Sequence, residues 1–222
     1  MRERLSDDLS AGALPGQPTS IWNATEPGTP HDRREVGQSV DVAIVGGGIV
    51  GLTAALLLKR AGRTVAVLES RRVAAQVTGG STAKITSQHG LIYADLIDNH
   101  GQEKAQAYAD ANQEAIEQIA RIAGSLGVDC DFERKASYVF SRAGTGVKEI
   151  EQEHEAASRL GLPASLDKSA PISVPVAGAL RFDNQAQFHP RKYLLAVAAA
   201  VDGNGSFVLE NSRVVDVQDD EP

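Results

Sequence analysis

Cysteine is almost absent: the 222-residue chain has one, Cys130. A single thiol excludes an intrachain disulfide framework and any zinc or iron–sulfur site built on several thiolates. No metal site is expected. The chain reads as a reduced, cytoplasmic protein, with Cys130 a small buried apolar residue rather than a nucleophile. Basic charge is also in short supply. Lys and Arg number 22 against 29 Asp and Glu, for a net charge of −7. That balance argues against nucleic acid as a partner, since phosphates need a basic face. Apolar runs long enough for a membrane are lacking too. The 17 uncharged residues from Val42 to Leu58 sit at the lower edge of a span and contain Gly46, Gly47, Gly48 and Gly51. The first ten residues, MRERLSDDLS, have no apolar core and are no signal peptide.

What remains is ordinary globular material, 42% hydrophobic and 23% charged. Residues 1–39 read as an extended leader, polar and holding four prolines (Pro15, Pro18, Pro27, Pro30), with the only tryptophan, Trp22, docking it onto the body. Val40–Val45 reads as a buried strand and Ile49–Ala61 as a helix stopped by Gly62, with Lys59 and Arg60 in its last turn. Thr64–Leu68 is a second strand, apolar on both faces as in a parallel sheet. A Gly/Ser/Thr-rich loop covers Thr78–Gly90. Tyr108, Ala111, Ala115, Ile119, Ile122 and Leu126 form the stripe of a long helix ended by Gly127, with Glu117 and Arg121 as an outer ion pair. Asp131–Ser141 reads as a strand, with Phe132, Ala136, Tyr138 and Phe140 on one face. Val147–Leu160 is an amphipathic helix whose His154 has no second ligand nearby in sequence. Ala179–Phe182 is a short strand, Pro190 opens a helix running to Val201, and Ser206–Leu209 and Arg213–Val217 are two further strands.

Chemistry is concentrated in DVAIVGGGIVGLTAALLLKRAGRTVAVLE. Gly46-x-Gly48-x-x-Gly51 follows a strand and opens a helix, and each glycine has a steric reason. Gly46 permits the tight turn. Gly48 admits a pyrophosphate to the backbone. Gly51 lets the helix pack closely on the sheet. The first helical N–H groups, at Ile49 and Val50, point at phosphate oxygens, and the helix dipole favours their charge. Glu69 ends the second strand, where an acid accepts hydrogen bonds from the adenosine ribose and disfavours a 2′-phosphate. Strand, helix, second strand and terminal acid agree on dinucleotide binding. FAD and NAD are then the alternatives. A nicotinamide dehydrogenase would continue with another βαβ unit. Here about a hundred residues of helix and strand intervene before Val208, an insertion that suits an FAD fold.

At these residues the chain resembles the FAD-dependent amine and amino-acid oxidoreductases of the D-amino-acid oxidase, glycine oxidase and sarcosine oxidase group. It looks closest to a bacterial branch related to γ-glutamylputrescine oxidoreductase, many of whose members carry a C-terminal Rieske domain. The resemblance runs over residues 20–218, through SIWNAT, VDVAIVGGGIVGLTAALLLKRAG, TGGSTAKITSQHGLIY, GVDCDFERKASYVF, GALRFDNQAQFHPRKYL and ENSRVVDV. It implies an α/β fold: an FAD-binding Rossmann-like (glutathione-reductase-type) βαβ with an inserted α+β substrate-domain portion. The nucleotide domain would take residues 40–90 and 190–222, and the insertion 91–189. Cofactor contacts would come from Gly46, Gly48, Ile49, Val50, Gly51, Glu69, Ser70 and Arg71. The second flavin-contacting segment would supply Thr78, Ser81, Thr82 and Ala83, and the backbone of Val214 would meet the adenine. Lys84 beside the flavin and His89 toward substrate are the candidate catalytic residues. Arg181 is a candidate for a substrate carboxylate, with a sheet-edge salt bridge as the alternative. His189 reads as the residue that starts the helix at Pro190.

The implied reaction is oxidation of an amine or amino acid, with hydride passing from the C–H next to nitrogen to flavin N5 and an imine as product. Oxygen or a Rieske cluster absent from this chain would accept the electrons. Against the family's pattern the later segments are missing, so the fold is expected to be C-terminally incomplete and the sheet to have an unfinished edge. An NAD-dependent Rossmann dehydrogenase and a non-catalytic, truncated nucleotide-binding fragment stand as alternatives.

Overall fold

The structure, a computed structural model, describes residues 19–28, 39–142 and 144–218. Most of the expected leader lies outside them. The part described is a short helix rather than extended chain: α1, Ile21–Thr25, with the Ser20 hydroxyl accepting from Asn23 N–H at its start.

The glycine-rich region folds as β1 (Val42–Val45), α2 (Ile49–Arg60) and β2 (Val65–Leu68). Strands β1 and β2 pair in parallel, and β7 (Phe207–Leu209) adds beside β2, so the order is β1–β2–β7. The 17 uncharged residues are thus a strand and a helix separated by a turn. No helix among the described residues is long and apolar enough to cross a membrane. Val65, Ala66 and Val67 are buried on both faces, as a central parallel strand requires. β1 is an edge, and its Val45 is 66% exposed.

The second sheet is antiparallel. β6 (Gly178–Gln187) is its spine, with β4 (Glu133–Ser141) on one side and β3 (Lys84–Ile85) and β5 (Ala164–Asp167) on the other. β6 runs ten residues where a short strand was expected. Its polar DNQAQ half pairs through the backbone, which hydrophobic pattern does not report. The β4–β6 register shifts between Lys135 and Ser137. The extra residue falls in β6, where Asp183 and Asn184 stand opposite Ala136 and Asn184 has φ +59°, and Phe140 on β4 is 39% exposed.

Two apolar clusters hold the chain. The first joins α2, β2, the end of α4 (Gln102–Leu126) and α6 (Pro190–Val201). The second joins α3 (Tyr93–His100), the start of α4, α5 (Val147–Arg159) and β6. Only half of the stripe expected on α4 is buried. Ile119, Ile122 and Leu126 pack in the core, whereas Tyr108, Ala111 and Ala115 are exposed. Ala105 and Ala109 do the burying at that end, because α3 crosses a different face there. The expected Glu117–Arg121 pair does not form either. Arg121 reaches Glu114 and Glu117 reaches Arg134 at 2.7 Å.

Buried charge is used for capping. Glu153 on α5 accepts from the N–H groups of Ile92, Tyr93 and Ala94 at 2.8–2.9 Å, closing the start of α3. Lys59 donates to the carbonyls of Ala200, Val201 and Asp202. It serves the C-terminal end of α6 rather than that of its own helix.

Candidate nucleotide site

The three motif glycines do different work. Gly46 has φ +107°, the left-handed region that excludes most side chains, and its N–H continues the ladder to Leu68 O at 2.9 Å. A Cβ on Gly51 would lie 2.0 Å from Gly46 O and 3.2 Å from Ile44 Cγ2. Gly51 therefore permits the helix to sit against the turn that precedes it, a closer contact than the helix–sheet packing expected. A Cβ on Gly48 would meet only Thr78 Oγ1, at 3.5 Å. The space above Gly48 is open. Gly48 is also the N-cap of α2 and offers no side chain to it. The first intrahelical bond is Leu52 N–H to Gly48 O, so the N–H groups of Ile49, Val50 and Gly51 have no acceptor within the helix.

Glu69 is buried at the end of β2. Its Oε2 accepts from Gly47 N–H at 2.7 Å, and its Oε1 from Arg71 N–H at 2.8 Å and from the Ser70 hydroxyl at 3.2 Å. A Cβ on Gly47 would stand 3.0 Å from Glu69 Cβ. The second glycine of the run, left out of the sequence motif, thus ties the acid to the turn. Glu69 O also accepts from Ser212 N–H at 2.8 Å. Residues 213–218, the last described, form no strand, contrary to the strand expected over Arg213–Val217. Val215 and Val217 are 89% and 77% exposed, and Val214 is half-buried. The alternation of apolar residues was real, but none of the described residues pairs with them as a neighbouring strand.

The loop after β2 closes over the same end of the sheet. Val73 N–H donates to the buried Glu210 carboxylate at 2.7 Å, and Arg72 pairs with Glu210 at 2.9 Å. Thr78–Gly80 form a single 3-10 turn. A cavity of about 360 Å³ lies past it, bounded by Ile49, Thr78, Ser81 and Lys84 together with Thr86, Asn112 and Phe188. Thr82 is exposed and Ala83 buried. The structure therefore gathers Gly48, Ile49, Thr78, Ser81 and Lys84 at one opening, with Glu69 behind the turn.

His89 does not itself bound the cavity but touches Asn112, which does. It is exposed and contacts Asn112 Oδ1 at 3.2 Å. Arg181 pairs with Asp183 at 2.6 Å and lies over the Tyr138 ring, the salt bridge that was its alternative. His189 is the N-cap of α6 and buried; its Nδ1 accepts from Lys192 N–H. Burial, then the Lys192 charge, lowers its pKa. Cys130 is buried, and that burial pushes its thiol pKa up, the opposite of a nucleophile's need. Arg191, Glu210 and Asn112 were not singled out in the sequence. Arg191 and Glu210 meet Val73 across 118 and 137 positions, and Asn112 meets His89 across 23, so no local signal marks them.

With this geometry, comparison with known proteins defines the class. Residues 41–222 match the family of FAD-dependent oxidoreductases, and the chain belongs to that family. It is 36% identical over 178 residues to a Bacillus subtilis chain described as a Rieske 2Fe-2S iron–sulfur protein, YhfW, covering 80% of this chain and 35% of that one. It is 26% identical over 199 residues to the γ-glutamylputrescine oxidoreductase of Escherichia coli, covering 87% and 46%. Among solved structures, glycine oxidase from Bacillus cereus superposes with a TM-score of 0.62 at 19% identity, over 82% of this chain and 49% of that one. L-proline dehydrogenase from P. horikoshii superposes with a TM-score of 0.64 at 20% identity, over 79% and 45%. The chain spans less than half the length of these relatives.

Proposed function

We propose that this chain forms the nucleotide-binding part of an FAD-dependent enzyme that oxidises an amine or amino acid. The observation that carries the reading is the open space over Gly48, faced by the Thr78 hydroxyl and backed by Glu69. A group fits there only if it takes hydrogen bonds from backbone N–H, tolerates no side chain beneath it and offers hydroxyls to a carboxylate. An adenine dinucleotide has those features. Residues 40–90 and 190–222 supply the nucleotide portion, and 91–189 the inserted portion.

The N–H groups of Ile49, Val50 and Gly51 receive the diphosphate, and Glu69 takes the adenosine ribose hydroxyls. Ser70, Arg71 and the Val214 backbone border the adenosine side. Thr78, Ser81, Thr82 and Ala83 line the passage to the redox-active ring. Lys84 stands at the cavity beyond, where its cation favours an anionic group, while Ile85, Ile116 and Phe188 keep water out. When bound, the flavin would supply two-electron oxidation, by hydride transfer from the C–H next to nitrogen, which would turn the amine into an imine. The similarity to γ-glutamylputrescine oxidoreductase supports an amine or amino-acid substrate, and that to YhfW supports a Rieske cluster beside oxygen as electron acceptor.

FAD titration followed by flavin fluorescence tests the assignment. The wild-type chain should quench and retain FAD. Gly48→Ala should leave the melting temperature nearly unchanged, because its Cβ has room, yet weaken FAD by more than about tenfold through clash with the diphosphate. Equal affinity in the two proteins would contradict the cradle.

A further inference from the structure

The SIWNAT stretch has no part in the glycine cradle, yet its side chains converge on the loop that carries Thr78, Ser81, Thr82 and Ala83. Trp22 Nε1 donates to Ser81 O at 2.8 Å, and Asn23 Nδ2 donates to Ala75 O at 3.1 Å. A Cβ on Gly79 would lie 2.7 Å from Ala74 O and 2.8 Å from Asn23 Oδ1, so the loop is folded hard against the asparagine. Helix α1 has five residues, too few to be stable alone, so its order comes from what it touches.

Three further contacts hold the stretch in place. The Trp22 ring packs edge-on against His189, with centroids 4.9 Å apart. Thr25 Oγ1 donates to Ile21 O at 2.6 Å and accepts from His189 Nε2 at 3.0 Å. The guanidinium of Arg191, which is 3% exposed, reaches Glu26 O, Pro27 O at 2.6 Å and Val73 O at 2.8 Å. One buried cation thereby joins the N-terminal stretch to the chain leaving β2.

The loop itself is strained at both ends. Ala74 and Ala83 have φ +55° and +61°, a region that a residue with a Cβ rarely adopts. Such strain persists only where surrounding contacts over-determine the backbone. Here those contacts fall one or two residues from each strained alanine: Asn23 on Ala75, Trp22 on Ser81.

We propose that residues 20–28 are a clasp that holds the Ala74–Ala83 loop in its cofactor-binding shape, so that flavin affinity depends on Trp22 and Asn23 as positioning residues. The affinity part rests on the flavin reading above; the mechanical part does not. Both are measured on the 222-residue chain, with Trp22→Phe, which keeps an aromatic ring, and Asn23→Ala. Hydrogen exchange without FAD should quicken about tenfold in peptides covering 74–83, the worth of one good hydrogen bond, and stay unchanged in α2 and β2. FAD should bind about tenfold more weakly to each variant than to wild type. Unchanged exchange in the loop overturns the clasp. Quickened exchange with wild-type FAD affinity overturns its bearing on the cofactor. If the wild-type chain takes up no FAD, the flavin reading fails and the affinity part falls with it, while exchange still decides whether the clasp exists.

Discussion

At the scale of single residues, the glycine motif separates into parts that serve the fold and a part left open for the proposed ligand. Gly51 belongs to the fold. A methyl group there would drive into Gly46 O at 2.0 Å, and backbone cannot yield as a side chain does. Gly51→Ala should destabilise the chain by about 1–3 kcal/mol, read as a lower urea midpoint without any ligand present. A midpoint equal to wild type would show that the turn relaxes freely. The contrast with Gly48, whose Cβ would meet only Thr78 Oγ1 among the described residues, is what leaves room there for the proposed diphosphate. Glu69 has the same double character. It is satisfied by the Gly47 and Arg71 N–H groups, and it stands behind the turn that carries Gly48.

At the scale of elements, α6 depends on a neutral histidine. His189 Nδ1 accepts from Lys192 N–H while Nε2 meets Thr25 Oγ1, so the tautomer with hydrogen on Nε2 fits both bonds. Its folded pKa is depressed, by burial first and by Lys192 second. The unfolded state therefore takes up a proton at higher pH than the folded state. The contribution is complete above the unfolded pKa near 6.5 and is lost as the pH falls through that value toward the folded one. Stability measured by urea should decline as the pH falls below about 6.5 more steeply in wild type than in His189→Asn, whose amide caps without titrating. Parallel pH profiles would refute this. Trp22, the chain's only tryptophan, lies against His189 and reports the change by fluorescence.

At the scale of the whole molecule, the parallel sheet has an open side among the described residues. β1 is the edge strand, and Val45, Val50 and Leu57 around it are 66%, 80% and 40% exposed. An apolar groove of about 410 Å³ between α2 and α4 continues this surface past Ile49 and Ile119. Edge backbone groups together with exposed valines favour association. Sedimentation velocity should show the chain associating as its concentration rises, and Val45→Lys with Val50→Glu should suppress it. A wild-type chain monomeric at every concentration would count against this surface being adhesive.

The sequence by itself determined the βαβ unit, the glycine turn, the acid at 69 and the helix beginning at Pro190. Each is a local matter: a steric requirement at a glycine, a hydrophobic period, or a proline that suits a first turn. It did not determine the full length of β6, the buried face of α4 or the fate of Arg213–Val217, because strand length and helix facing are decided by which neighbour supplies hydrogen bonds or apolar surface. Nor could it place Arg191, Glu210 or the Trp22–Ser81 bond. Those contacts join residues 59 or more positions apart, and only the folded chain brings them within reach.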